Sequence, residues 1–143
     1  MEGLDRFREA QAGTLETALA ELRAGWKTSH WMWWIFPQLA SLGRSPAAQF
    51  YGIQDLQEAR AYLADPGLSD TLRDASRAVL SHPERSAEAI MGPIDALKLR
   101  SSATLFLEAG GGSSELRSDL QSILDTFYGG EACERTIAAL GRK

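Results

Sequence analysis

An unusually aromatic segment, residues 29–38, reads Ser-His-Trp-Met-Trp-Trp-Ile-Phe-Pro-Gln. If it is helical, one side carries four residues at helical spacing: His30, Trp33, Trp34 and Pro37. Indole rings can stack on a flat ligand, and an imidazole at the edge of such a wall can donate or carry a proton. The segment therefore predicts either an aromatic pocket with His30 at its edge or a buried core in which His30 bonds to backbone.

A second segment, residues 95–106, places polar side chains inside an apolar helical run. Apolar residues surround the helix, which predicts a central position in the fold. Its polar residues include Lys98, Arg100, Ser101 and Ser102. A buried cation needs a carboxylate, carbonyls or a ligand anion, so Asp95 could pair internally with Lys98, three residues on. Alternatively, the guanidinium and hydroxyl groups form a polar rim that holds a phosphate or carboxylate.

The turn at residues 42–46, Leu-Gly-Arg-Ser-Pro, is a third candidate. A glycine turn before a helix presents free backbone N–H groups to an anion, and Arg44 would add positive charge. Ser45 would line such a site or only cap the helix. The sequence has no Walker-type loop, dinucleotide-binding glycine motif or nucleophile elbow. His30 and His82 are the only histidines and lie far apart, so we expect no metal site and no cofactor.

Charge and cysteine content narrow the classes of partner and compartment. The net charge of −4 gives no broad cationic field, so nucleic acid is not expected as a partner except as a modified-nucleotide substrate. Cys133 is the only cysteine, which excludes an intrachain disulfide and fits a reducing cytosol. No secretory signal is visible, and the longest apolar run is far shorter than the roughly 20 residues of a membrane span. We expect a cytoplasmic monomer or homodimer that does not bind membranes.

The elements that must position these groups are helices. The chain has 21 Ala and 19 Leu but one Val and six Ile, and this composition predicts an all-α fold. We expect a single domain over residues 1–143, with seven to nine helices around the two central segments. Caps and breakers predict helices at about 4–24, from 29, at 46–51, from Asp55 to Asp65, from Ser69 to about 80, after Ser86, from Asp95 to about 108, after Ser113 or Ser114, and at about 132–140.

The chain resembles a bacterial family catalogued only as a domain of unknown function, some of whose members carry an automatic calpastatin label. The resemblance rests on residues 29–38 and on Lys98-Leu99-Arg100-Ser101-Ser102, with further matches at Phe7, 10–11, 42–45, 51–53 and 58–63. Calpastatin-type inhibitors are extended, disordered chains, whereas this composition predicts a folded domain. The resemblance implies no catalytic residues.

A weaker similarity is to the NAD- and ADP-ribose-associated family that acts on N-glycosidic ADP-ribose linkages. It rests on Gly43-Arg44-Ser45 and on residues 61–68. This chain departs from that family because His30 stands where an acidic residue is expected in the aromatic motif. The similarity adds N-glycosidic hydrolysis as a candidate activity.

These patterns together predict a protein that binds a small anionic ligand with a flat ring, such as a nucleotide or an ADP-ribose or NAD derivative. In this prediction one of three tryptophans stacks on the ring, several polar side chains hold the anionic group, and His30 transfers a proton. The stacking candidates are Trp31, Trp33 and Trp34, and the anion-binding candidates are Arg44, Ser45, Lys98, Arg100, Ser101 and Ser102. We expect His30 to share a solvent-open cavity with Lys98 or Arg100. The alternative is a non-enzymatic helical adaptor whose aromatic cluster is only core.

Overall fold

The computed structural model describes residues 3–141, and within that range all regular elements are helical except one isolated bridge between Leu39 and Ile53. The elements are α1 (Asp5–Ala24), α2 (Met32–Ile35), a 3-10 turn (Ala40–Leu42), α3 (Pro46–Tyr51), α4 (Leu56–Ala64), α5 (Pro66–Leu80), α6 (Ala87–Met91), α7 (Pro93–Glu108), α8 (Ser114–Tyr128) and α9 (Glu134–Ala139). The predicted all-α fold with seven to nine helices is confirmed for this part of the chain.

Side-chain caps determine where five of these helices begin. Each cap accepts a hydrogen bond from the backbone N–H three residues on, and they are Ser45, Asp55, Asp65, Ser86 and Ser113. Such a bond satisfies one of the N–H groups that a helix start leaves unpaired. The cap expected at Ser69 is wrong: Asp65 caps α5 and Pro66 follows at its first position, where the missing N–H costs nothing.

Helix α7 passes through the centre of the molecule, in contact with α4, α6, α8 and α9. Residues 101–106 are all buried, as expected for a central helix. The start of the helix differs from the prediction. It begins at Pro93 after Gly92, whose φ of 87° favours glycine, so Asp95 does not cap it. Leu97 is 66% exposed, because it lies with Ile94 on the side of α7 that faces solvent, while Ala96 and Leu99 face the core.

The aromatic segment is mostly buried but only briefly helical. The helix expected from residue 29 covers Met32–Ile35 alone. Within the segment Trp31, Phe36 and both ends of α2 are buried, whereas Trp33 and Trp34 are partly exposed. The segment packs into a core that also contains apolar side chains of α1 and α4–α8. It therefore belongs to the main core, with two of its indole rings reaching the surface.

Candidate functional site

The two unusual segments meet at the start of α7, in a cluster of paired polar groups. Lys98 Nζ lies 3.7 Å from the centre of the Trp33 ring and 3.5 Å from one carboxylate oxygen of Asp95. The other oxygen of Asp95 lies 2.8 Å from Lys27 Nζ, which is 4.8 Å from the centre of the Trp31 ring. We call this cluster the aromatic junction and define it as Glu21, Lys27, Trp31, Trp33, Asp95 and Lys98.

Glu21 ties α1 to the backbone that precedes α2. Its carboxylate accepts hydrogen bonds from the backbone N–H groups of Thr28 and Ser29, the Ser29 hydroxyl and the Trp31 indole N–H, at 2.5 to 3.0 Å. Burial raises the pKa of Glu21, but the hydrogen bonds favour the charged form and lower the pKa to about 2. The charged groups of the junction thus have protein partners, and this supports the internal pairing of Asp95 with Lys98.

Trp34 is bound to α1 instead. Its indole N–H donates to the Thr14 hydroxyl at 2.7 Å, and its carbonyl accepts a hydrogen bond from Gln11 Nε2 at 2.8 Å. Its ring packs against that of Tyr51, with centroids 5.0 Å apart. Neighbouring positions on a helix point in different directions. No single wall therefore contains Trp31, Trp33 and Trp34.

His30 is exposed and lies two residues before α2 begins. The expected helical stripe that joins His30 to Trp33 and Trp34 is therefore wrong. The physical reason is that Glu21 holds the backbone of residues 28 and 29 in a non-helical loop. The sequence position of His30 places it next to the aromatic junction, beside the buried Trp31.

Arg100 lies on a different side of α7 from Lys98, because two residues advance about 200° around a helix. Beside it is a cavity of about 370 Å³ between α7 and α9. We call it the α7–α9 cavity, and its lining residues are Leu97, Arg100, Ser101, Glu131, Cys133, Glu134 and Arg135. Two of the predicted anion-binding residues, Arg100 and Ser101, thus line one cavity, and that lining contains neither His30 nor a tryptophan.

The weakest pairing in the α7–α9 cavity is that of Arg100 with the Glu131 carboxylate. Arg100 Nε donates to the Glu131 carbonyl at 2.9 Å, while its terminal nitrogen is 3.4 Å from a Glu131 carboxylate that is 80% exposed. The Ser101 hydroxyl lies 3.1 Å from the Leu97 carbonyl and 3.3 Å from Cys133 Sγ. An adjoining cavity of about 380 Å³ is also lined by Arg100 and Glu131. A ligand could therefore reach Arg100 from two sides.

The remaining predicted residues lie apart from one another. Ser102 is fully buried in the core, and no described residue hydrogen-bonds to its hydroxyl. Arg44 is exposed, and Ser45 caps α3 by accepting a hydrogen bond from the N–H of Ala48. The turn before α3 is close to α9, because Arg135 donates to the carbonyl of Leu42 at 3.3 Å. Arg44 and Ser45 thus share a turn that approaches the α7–α9 cavity, but neither residue lines it.

Cys133 and Arg135 line the α7–α9 cavity but were not predicted to do so. Both lie at the start of α9, a helix of six residues whose packing against α7 and the 3-10 turn depends on contacts between distant parts of the chain. Their separation from Arg100 exceeds 30 positions, and no local spacing connects them. The sequence contains no signal that could have placed them beside Arg100.

A larger cavity, of about 520 Å³, lies between α1 and the start of α5. We call it the α1–α5 cavity; it is lined by Arg8, Gln11, Ala12, Gly13, Leu15, Glu16, Thr17, Asp65, Gly67, Leu68 and Thr71. This cavity was not predicted from the sequence. A signal did exist, since Thr71 follows Leu68 by three positions and precedes Ala75 by four, which places a hydroxyl on the buried face of α5.

Among residues 3–141, no helix is long and apolar enough to cross a membrane. Within the same range, no group of three or more His, Cys, Asp or Glu side chains is placed to hold a metal ion.

The fold and cavities define a helical protein with ligand-sized clefts on two sides of its core. The chain belongs to the family described as "Protein of unknown function (DUF1810)", whose model matches residues 1–140. It is similar to the conserved hypothetical protein Rv1873 from Mycobacterium tuberculosis, known from a crystal structure, with 44% identity and a TM-score of 0.91. The match covers 98% of this chain and 97% of that one. No curated protein matches the chain in sequence.

Proposed function

We propose that this protein binds a small anionic ligand in the α7–α9 cavity. The observation that carries the proposal is that Arg100, Ser101 and Arg135 line one cavity of about 370 Å³. Guanidinium groups and hydroxyls are the side chains that hold phosphates and carboxylates in proteins. The volume lies within the range of about 300 to 1,000 Å³ that small-molecule sites occupy.

The carboxylates around this cavity do not prevent anion binding. Glu131 and Glu134 line it together with the two arginines, and Glu131 is the one paired with Arg100. An ion pair with a carboxylate that is 80% exposed contributes little to stability, because water screens it. A ligand phosphate would displace the Glu131 carboxylate and take its place on the guanidinium of Arg100.

The finer proposal is that the ligand is nucleotide-like, such as an ADP-ribose or NAD derivative in a cytoplasmic setting. It is supported by the adjoining cavity, which would give a second group of the ligand space next to Arg100, and by the exposed Leu97 side chain on the cavity wall. The predicted N-glycosidic hydrolysis with His30 as the proton-transfer residue is not part of this proposal, because His30 does not line the α7–α9 cavity.

Calorimetric titration with ADP-ribose, NAD and inorganic phosphate tests the proposal. The variants are Arg100→Gln and Arg135→Gln. The matched control is Arg73→Gln on α5, an arginine that is paired with Asp70 and Asp74 and lines neither cavity beside Arg100. Loss of a charge-assisted hydrogen bond weakens binding by about tenfold or more. We expect that loss in both cavity variants and wild-type affinity in the control. Absence of binding by all three probes, or equal affinity in every variant, would contradict the proposal.

A helical interaction module is the second candidate, and one observation favours it. Ile94 and Leu97 lie one turn apart at the start of α7 and are 69% and 66% exposed. Exposed apolar side chains in such a pair are typical of contact surfaces. A second copy of this chain would cover them in a homodimer. Sedimentation over a wide concentration range would then show a dimer that Ile94→Lys converts to monomer.

A further inference from the structure

The α1–α5 cavity has the properties of a second binding site, and its polar groups differ from those of the α7–α9 cavity. Gln11 and Thr71 both line it, yet they are only 5% and 6% exposed. Polar side chains buried to this degree are normally hydrogen-bonded in full, because an unpaired polar group costs free energy. Their actual partners therefore indicate what the cavity can still bind.

The side-chain amide of Gln11 donates two hydrogen bonds, and its carbonyl oxygen remains free to accept one. Its Nε2 donates to the Trp34 carbonyl at 2.8 Å and to the Tyr62 hydroxyl at 3.2 Å, which accounts for both amide hydrogens. The carbonyl oxygen Oε1 is the hydrogen-bonding atom that is left. Because its amide nitrogen is fixed by two different elements, Gln11 presents this acceptor in a defined orientation.

Thr71 has a hydroxyl that no described residue engages. Elsewhere in the chain, Thr14 and Thr104 donate to the carbonyl four residues earlier in their own helices. Thr71 makes no such bond, although it lies within α5. A hydroxyl that remains unpaired on the wall of a cavity is available to a ligand as donor or acceptor.

The charges at this cavity do not favour an anion. Arg8 is the only cation in its lining, and it is already paired with Asp65 and with Asp5. Glu16 adds a carboxylate with no cation opposite it in the lining. Leu15 and Leu68 supply apolar surface. The surroundings therefore suit a partly apolar molecule that is neutral or cationic and that donates hydrogen bonds.

We propose that the α1–α5 cavity binds an aromatic amide or amidine, whose N–H groups donate to Gln11 Oε1 and Thr71 Oγ1 while its ring packs on Leu15 and Leu68. A six-membered aromatic ring with one amide or amidine group fits within a cavity of about 520 Å³. The site does not depend on the α7–α9 cavity, because the two share no lining residue.

Three probes of equal size distinguish the chemistry: benzamide is neutral, benzamidine is a cation, and benzoate is an anion without an N–H donor. Each is titrated at millimolar concentration into ¹⁵N-labelled protein, and amide spectra are recorded. The Gln11 side-chain amide and the Trp34 indole N–H report on the cavity, since Gln11 contacts the Trp34 carbonyl. We expect saturable shifts with benzamide and benzamidine, and none with benzoate.

Gly13 offers a matched pair of variants. A Cβ built on this residue meets no atom within 4 Å, and Gly13 lines the cavity, so the larger side chain of Gly13→Leu starts in open space beside the cavity. Gly13→Ala adds only a methyl group. Both substitutions favour the helix, since glycine is a poor helix former. We expect Gly13→Leu to abolish benzamide binding and Gly13→Ala to retain it, with neither variant lowering Tm.

Thr71→Val removes the hydroxyl and keeps the shape of the side chain. We expect it to weaken benzamide about tenfold, the effect of one lost hydrogen bond, while Tm stays the same or rises. Benzoate that binds as tightly as benzamide, full binding by Gly13→Leu, or no shift with any probe would each overturn the proposal. Binding of ADP-ribose to the α7–α9 cavity is measured separately, so either site can fail alone.

Discussion

Lys98 and Arg100 are two residues apart on α7 but lie in opposite kinds of surroundings. In the aromatic junction, Lys98 is held between the Trp33 ring and Asp95, and its side chain is 19% exposed. In the α7–α9 cavity, the partner side chain of Arg100 is a carboxylate that is 80% exposed. Arg100 is itself 27% exposed and donates to the Glu131 carbonyl, and the exposed Glu131 carboxylate is the partner that a ligand can replace.

This comparison separates cations that hold the fold from cations that can bind. Burial of a cation requires compensation, and the junction supplies it to Lys27 and Lys98 through Asp95 and two indole rings. In the α7–α9 cavity, the carboxylate beside Arg100 is exposed, so a ligand anion can compensate the charge of the guanidinium. Residue type and local spacing are nearly the same for Lys98 and Arg100, so the distinction arises from the elements packed against each side of α7.

The largest expected effect comes from the core beside the junction. Phe36 is 1% exposed, so Phe36→Ala should lower the free energy of unfolding by about 3–5 kcal/mol through lost burial and the cavity left behind. Trp33→Ala should cost less, because Trp33 is partly exposed. Chemical denaturation measures both. Similar losses for the two variants would show that the segment does not divide into core and surface as described.

Glu21→Gln tests whether the junction is a structural network. Its carboxylate accepts four hydrogen bonds, and replacing the charged acceptor should cost about 1–3 kcal/mol at neutral pH. Because folding lowers the pKa of Glu21 from 4.5 to about 2, its contribution is present above pH 4.5 and is lost as pH falls toward 2. Across this pH range, the free energy of unfolding should fall less steeply with acid in Glu21→Gln than in the wild type. Parallel pH profiles would contradict the network.

The smallest expected effect is that of Ser102→Ala. Ser102 is fully buried, and its hydroxyl has no partner among the described residues, so its removal relieves an unpaired polar group. The free energy of unfolding should change by less than about 0.5 kcal/mol, and ADP-ribose affinity should stay at the wild-type value. A loss of affinity would place Ser102 in the binding site instead of the core.

The sequence predicted the helices well, because caps and breakers act within a few residues. Ser45, Asp55, Ser86 and Ser113 begin helices as expected. Asp65 was interpreted only as a stop, although one residue can end α4 and cap α5 when a proline follows. Local patterns were therefore sufficient for the fold class and for most helix bounds.

The site was less predictable, because it depends on which distant segments pack together. The Asp95–Lys98 pair was foreseen at helical spacing, whereas the contribution of Lys27 and Glu21 required the path of the chain between α1 and α2. Gln11 is buried and bonded to Trp34 and Tyr62, a contact across more than 20 positions that no local spacing predicts.

The central claim is that Lys98 serves the fold and Arg100 serves a ligand. The most direct test measures stability and ADP-ribose affinity together in Lys98→Met and Arg100→Met. Lys98→Met should lower the free energy of unfolding by about 1–2 kcal/mol, through the lost contacts with Trp33 and Asp95, and leave the affinity unchanged. Arg100→Met should change stability by less than about 1 kcal/mol and weaken binding about tenfold or more. Loss of affinity in Lys98→Met with full affinity in Arg100→Met would contradict the account.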